Sequence, residues 1–186
     1  MSIILASQSP RRRELLAQMG VPQFEVVPAL GEEIASPGLS PAQLVEVLSR
    51  QKAEEVAVQA GPDDVVIAAD TVVAVDGAVL GKPRDPADAA RMLSLLSGRA
   101  HTVYTGVTVR RGTFSRTAHE ATQVRFRPLT QSEISAYIAT GEPMDKAGAY
   151  GIQGFGMRYI RGISGDYYTV MGLPGARVRR FLRLFS

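Results

Sequence analysis

"VVIAADTVVAV", residues 65–75, is the stretch that decides the fold. It is apolar and β-branched with no polar alternation, so it reads as a strand covered on both faces. Asp76-Gly77 closes it with a tight turn. Working back toward the N-terminus, residues 2–6 read as another buried strand. A helix follows, with Ser9 as N-cap, Pro10 at its first position and Gly20 just past its end. Phe24 to Val27 reads as a short strand, and Ser40-Pro41 starts a long helix running to about Ala60. Working forward, Asp85-Pro86 opens a helix that ends near Ser97-Gly98. Residues 101–110 and 114–126 form a long hairpin around Arg111-Gly112. Thr130-x-x-Glu133 is a capping box for a helix ending at Gly141. The Gly-rich passage "DKAGAYGIQGFG" (145–156) comes next, then short strands and a basic helix from about Gly175. Strands and helices alternate first and hairpins come later, which predicts a mixed α/β sheet. There is no internal repeat and no linker that would separate independent domains.

The composition is that of a globular chain: 186 residues, 45% hydrophobic and 21% charged, enough to bury a real core. With no cysteine, disulfides and thiolate metal sites are excluded, and a cytoplasmic location is the simplest expectation. "SIILA" is too short for a signal-peptide core, and no apolar run reaches the roughly 20 residues of a membrane span, so a soluble protein is expected. The net charge of +3 is a mild basic bias spread along the chain, which permits a nucleic-acid partner without arguing for one. Because the chain carries eighteen Arg and three Lys, each of Lys52, Lys82 and Lys146 merits individual attention.

Three residues break their local patterns, and two further stretches stand out. Arg12 falls near the middle of the apolar face set by Leu15, Leu16 and Met19, with Arg11 and Arg13 flanking it. Cations in the first turn oppose the helix dipole, so "SQSPRRR" (7–13) reads as an anion cradle with Ser7 and Ser9, or as Arg12 capping the helix against a carboxylate. Lys52 sits on the face of Leu44, Val45, Leu48 and Val56; it either snorkels to water or directs its amine into a polar site. Asp70 interrupts the buried strand, and an unpaired buried carboxylate costs several kcal/mol. Its partner is either a core arginine or a divalent metal or substrate water. Glu32-Glu33, in an irregular segment, is a solvated pair or a source of oxygen ligands suited to Mg²⁺. The Gly-rich passage permits close backbone approach to a ligand, with Gln153 offering a donor and an acceptor, although such loops also simply make turns. Walker-type and G-x-G-x-x-G cradles are absent. His101 and His119 fall in the hairpin strands and read as structural.

Taken together, "ASQSPRRRELL", "AADTVV", "GKP", "SGRAHTVYTGV" and "DKAGAYGIQG" stand in the order and spacing of the Maf family of nucleoside triphosphate pyrophosphatases, also called septum formation inhibitors, which this chain resembles over nearly its whole length. The resemblance implies a single domain over residues 1–186. Its fold would be α/β and related to the inosine triphosphatase family: an elongated mixed sheet with flanking helices and two lobes around a central cleft, often dimeric. It implies hydrolysis of a nucleoside triphosphate to the monophosphate and pyrophosphate with a divalent cation, Mg²⁺ or Mn²⁺. Asp70 then corresponds to the proton acceptor, with Glu33 and Asp70 on the metal; Ser7, Arg12, Lys52 and Lys82 line the triphosphate site. Thr71 and Gln153 match the branch acting on dTTP and UTP, and Arg11 matches a third position linked to base choice. Gln153 would pair with the O4 and N3–H edge of uracil or thymine. Rival readings are a non-catalytic nucleotide-binding regulator of cell division, and a nucleic-acid binder using Arg11–Arg13 with Arg177, Arg179, Arg180 and Arg183. The paucity of aromatics weighs against the second. The substrate, normal or modified, is not legible from the residues.

Overall fold

The computed structural model describes residues 2–21 and 23–185. Its elements are β1 (Ile3–Leu5), α1 (Pro10–Gln18), β2 (Glu25–Val26), α2 (Pro41–Ala57), β3 (Val65–Val75), β4 (Ala78–Leu80), α3 (Pro86–Leu96), β5 (Ala100–Arg111) and β6 (Phe114–Phe126). Then come α4 (Gln131–Ala139), three short 3₁₀ turns (Glu142–Asp145, Ala147–Ala149, Gly154–Tyr159), β7 (Ile160–Ser164), α5 (Tyr167–Met171) and α6 (Gly175–Leu182). The strands form a seven-stranded sheet ordered β2-β1-β3-β5-β6-β7, with β4 also paired to β3. β1 is parallel to β2 and β3, whereas β4 runs antiparallel to β3 and β7 antiparallel to β6. The sheet is mixed, as the alternation of elements predicts.

The expected chemistry operates at the element ends. In α1 the Ser9 hydroxyl accepts the Arg12 amide and Pro10 opens the helix, while the first turn holds no acidic residue. Ser40 and Gln43 form a reciprocal capping box on α2, as Thr130 and Glu133 do on α4. Asp76 (φ 48°) and Gly77 (φ 77°) both take the left-handed conformation that a two-residue hairpin turn requires. Two details differ from the sequence reading. Helix α2 stops at Ala57, because Val58 and Gln59 switch to bonds three residues back and tighten the last turn. Helix α5 was not foreseen; its start is organised by Asp166, which accepts the Thr169 amide (2.9 Å) and hydroxyl (2.9 Å).

The chain divides into two compact units, one holding the described residues of 1–70, 105–120 and 172–186, the other those of 71–104 and 121–171. In the first, Ile4, Ala6, Val66 and Ala68 pack against Ala53 and Val56 of α2. A Cβ on Gly106 would lie 2.2 Å from the Val45 carbonyl oxygen, so α2 approaches β5 at a distance only glycine allows. In the second, Val73, Val75 and Leu80 pack with Leu93 and Leu96 of α3, Phe126 of β6 and Tyr137 of α4. Among the described residues no helix is long and apolar enough to cross a membrane.

His101 lies inside the second unit, 3% exposed, with Nε2 2.7 Å from the Tyr150 hydroxyl and its ring edge-on to Phe126. Burial pushes its pKa down from 6.5 to about 4. The unfolded chain therefore binds a proton that the folded chain refuses, and stability held above pH 6.5 falls as the pH drops toward 4. The expected loss is about 3 kcal/mol over that window. Glu133, held down to about 2 by its bond with Arg127, adds its own loss only as the pH falls below 4.5. Urea unfolding followed between pH 7 and 5 should show this slope in the wild type and a nearly flat profile in His101→Gln.

Candidate active site

Asp70 ends the first unit's share of β3, and its burial to 8% exposure makes a counter-charge obligatory. The counter-charge is a lysine rather than the core arginine weighed from the sequence. Lys52, projecting from α2, places Nζ against Asp70 Oδ1 and, on its other side, 2.8 Å from Glu33 Oε1. One ammonium thus gathers two carboxylates from a strand and from an irregular segment far apart in sequence. Among the described residues Asp70 Oδ2 carries no hydrogen bond. Burial pushes the Arg12 guanidinium below its ordinary pKa, while the negative charges of Asp70 and Glu33 act in the opposite sense. The geometry therefore brings Arg12, Glu33, Lys52 and Asp70 into one electrostatic cluster.

Glu33 does not hang free on its segment. Glu55 Oε1 accepts the amides of Leu30 (2.7 Å) and Gly31 (3.0 Å), while Gln51 accepts the Ile34 amide (3.2 Å) and donates to the Ile34 carbonyl. Three polar residues of α2, Gln51, Lys52 and Glu55, therefore fasten the segment before and after Glu33. The sequence reading missed the outer two. Their signal was present: a polar pair four apart, on either side of a lysine already out of pattern.

The strand-to-helix turn is ordered by its own side chains. Ser7 Oγ accepts the Ser9 amide (3.2 Å) and Arg12 Nη1 (3.3 Å), and Arg12 Nε donates to the Gly172 carbonyl (2.7 Å). Arg12 is thus anchored to backbone and hydroxyl oxygens while its charge faces the carboxylates. Arg11 is half-buried and Arg13 exposed. An open hollow of ≈ 900 Å³ beside the turn is lined by Ser7, Ser9, Arg13, Phe24 and Val26 among others, but not by Arg12, Lys52 or Asp70.

The second unit carries the remaining sequence-predicted residues. Thr71, half-buried, follows Asp70 directly on β3, while Lys82 is exposed in the bend after β4. Gln153, also exposed, precedes the 3₁₀ turn at Gly154. The Gly-rich passage is tied to the lysine's neighbour, since Gly148 N–H donates to the Gly81 carbonyl (3.0 Å). Gly148 takes φ +69° and a Cβ there would lie 2.8 Å from Val73, so the passage closes on β3 only with glycine at that position. Lys146 is structural: its ammonium donates to the Glu142 carbonyl and to Asp145, both at 2.7 Å.

Two carboxylates held around one positive charge are a donor set that suits a divalent cation completed by phosphate oxygens and water. Among the described residues there is no group of three or more acidic or histidine side chains that would hold a metal unaided.

The family described as "Maf: Maf-like protein" matches residues 2–185. A Symbiobacterium thermophilum protein named dTTP/UTP pyrophosphatase is 54% identical over 184 residues, spanning 99% of this chain and 94% of that protein. A Moorella thermoacetica protein of the same name is 54% identical over 188 residues, spanning 99% and 95%. Among solved structures, a nucleoside-triphosphatase / dITP/XTP pyrophosphatase from Mycobacterium abscessus aligns over 99% of this chain and 96% of its own, at 17% identity and a TM-score of 0.45.

Removing the shared ammonium should leave Asp70 buried beside Glu33 without its main counter-charge. Lys52→Met is expected to destabilise the fold by about 2 kcal/mol, and adding Asp70→Asn should recover part of that loss. Urea midpoints of the two single variants and the double variant check this.

Proposed function

The chain belongs to the Maf family, and on that premise we propose that it hydrolyses dTTP and UTP at the α–β phosphoanhydride, releasing the nucleoside monophosphate and pyrophosphate. The names of relatives about half identical over the full chain support the reaction. The observation that carries the assignment to particular residues is the buried Asp70 carboxylate held between Lys52 and the charge of Arg12, with Glu33 on the same ammonium.

Asp70 accepts a proton from the attacking water. Its Oδ1 is fixed by Lys52 and its Oδ2 is open to a hydrogen bond, so the base is oriented before substrate arrives. Lys52, Arg12 and Lys82 neutralise the charge that gathers on the departing pyrophosphate. Ser7 orients a phosphate oxygen through its hydroxyl. Glu33 and Asp70 are the residues that would hold a divalent cation, Mg²⁺ or Mn²⁺, which when bound supplies further neutralisation of the phosphate oxygens. Arg11, Thr71 and Gln153 recognise the base, with the Gln153 amide pairing to O4 and N3–H of uracil or thymine. Cytosine reverses that donor and acceptor order, so CTP is the poorer substrate. The match over residues 2–185 supports treating the chain as one functional domain.

Incubation with Mg²⁺ and a panel of normal and modified triphosphates, with product identification, tests the proposal. Pyrophosphate release from UTP and dTTP should exceed that from CTP, and Asp70→Asn should fall by about a hundredfold or more with its circular dichroism unchanged. Nucleotide binding without pyrophosphate release would instead make the protein a regulator that binds and does not turn over.

A further inference from the structure

The Gly-rich passage is shaped by one carboxylate that the catalytic reading does not use. Glu142, just past α4, accepts the Phe155 amide on Oε2 (2.8 Å) and the Gly156 amide on Oε1 (3.0 Å). The same Oε1 accepts the Tyr137 hydroxyl (2.7 Å), and that hydroxyl oxygen in turn accepts the Gly151 amide (3.1 Å). Backbone donors on both sides of Gln153 are therefore tied to a single acceptor centre, directly at 155 and 156 and through one hydroxyl at 151.

Steric closeness shows that the arrangement is built rather than incidental. A Cβ on Gly154 would lie 2.5 Å from Glu142 Oε2, and Gly154 has φ +73°. A Cβ on Gly156 would lie 2.3 Å from the Gly151 carbonyl and 2.7 Å from the Tyr137 hydroxyl. The backbone at Gly151 also rests on the Lys146 stem, whose ammonium is bonded to the Glu142 carbonyl. The carboxylate thus sits inside a loop whose glycines leave room for it and whose amides converge on it. Burial disfavours the charged form of Glu142, but the bonds from Tyr137, Phe155 and Gly156 outweigh this and lower its pKa, so it stays an acceptor. An ionised carboxylate is an acceptor only, and here each of its oxygens receives a backbone amide. Gln153 lies between two short 3₁₀ turns, Ala147–Ala149 and Gly154–Tyr159, and this centre holds amides on both sides of it.

We propose that Glu142, bridged by Tyr137, is a positioning residue for base selection: it holds the 151–156 backbone so that Gln153 presents its amide to the pyrimidine edge. The inference rests on the pyrophosphatase reading above and adds to it the device that sets pyrimidine preference. Glu142 itself touches no substrate. Glutamine at 142 keeps the side chain's shape but turns an NH₂ toward a backbone N–H, which breaks one of the two direct ties. Phenylalanine at 137 removes only the bridge to Gly151, a smaller change in the same direction.

The test compares the wild type, Glu142→Gln, Tyr137→Phe, Gln153→Ala and the Glu142→Gln/Gln153→Ala double variant. Two readouts are taken: kcat and KM for UTP and CTP with Mg²⁺, and amide hydrogen exchange of residues 151–156. Glu142→Gln should raise KM for UTP about tenfold with kcat changed less than threefold, and should bring the UTP/CTP preference close to that of Gln153→Ala. The double variant should be no worse than Gln153→Ala alone, and exchange of the Gly151, Phe155 and Gly156 amides should quicken in Glu142→Gln while α4 stays protected. Tyr137→Phe should show the same pattern at smaller size. A variant that loses kcat equally on both nucleotides, keeps the preference, or adds independently to Gln153→Ala assigns Glu142 a merely structural role and overturns the inference while the pyrophosphatase reading stands. Wild-type protein that releases no pyrophosphate from UTP overturns that reading, and the positioning role of Glu142 with it. Unchanged exchange in Glu142→Gln overturns the clamp whatever the kinetics show.

Discussion

A carboxylate inside a buried strand is the constraint on which the rest of the first unit depends. β3 is covered along almost its whole length, and every position but Asp70 and Thr71 is apolar and can be satisfied by packing alone. Asp70 cannot, because a charge removed from water needs both a counter-charge and hydrogen bonds. That requirement explains why Lys52 stands on the core-facing side of α2, with its ammonium spent on acids. It also explains why the otherwise irregular segment around Glu33 is fastened to the same helix, since a second carboxylate at the ammonium is useful only if its backbone is held there. A pair of apolar side chains would fill this position with no electrostatic cost. The charged arrangement is therefore best understood as chemistry imposed on the fold rather than as a source of stability.

The second unit solves a different problem, that of holding a segment with little regular structure in one conformation. Glycine at 148 lets the chain pass close to Val73, and glycine at 156 lets it pass close to its own carbonyl at 151. Glycine is also the residue that loses most freedom on ordering, so close approach alone would leave such a segment loose. The compensating interactions are polar and come from neighbours just upstream: the Glu142 carboxylate, the Tyr137 hydroxyl and the Lys146 ammonium. Permissive backbone and a converging acceptor are thus parts of one solution, and neither would order the passage alone.

The sequence revealed the features whose causes are local. The unalternating run 65–75, the Ser9-Pro10 and Ser40-Pro41 starts, the Asp76-Gly77 turn and the Thr130-x-x-Glu133 box each depend on residues a few positions apart, and each is found in place. Asp70, Lys52 and Arg12 were legible as misfits for the same reason, since a charge on an apolar face stands out against its own helix or strand. What was not legible was pairing across the chain. Nothing near residue 70 names Lys52 rather than an arginine, because the partner is 18 positions away on another element. Gln51 and Glu55 look like ordinary polar helix positions until the 30–34 backbone is laid against them. Glu142 reads as the residue after a helix stop, and its role emerges only when amides from 155 and 156 arrive. Helix α5 escaped because five residues are too few to show a helical period, and its cap, Asp166, sits among glycines that look like a turn.

The turn from β1 to α1 shows why internal bonding and ligand binding need not compete. Ser7 Oγ already accepts two hydrogen bonds, from the Ser9 amide and from Arg12, and Ser9 Oγ accepts the Arg12 amide. Among the described residues neither hydroxyl donates to a protein acceptor, so what each has left to offer is its proton. The first turn of α1 adds amides without intrahelical partners and contains no acid that would occupy them. The turn therefore combines helix-end amides with three consecutive arginines and no acidic residue in the first turn of α1. Arg12 in particular is oriented by the Gly172 carbonyl through Nε. On the proposed function this matters because electrostatic catalysis gains most from groups whose orientation has been fixed by folding. Neutral oxygens, the Gly172 carbonyl and the Ser7 hydroxyl, orient the guanidinium, and the charges of Asp70 and Glu33 act on it as well.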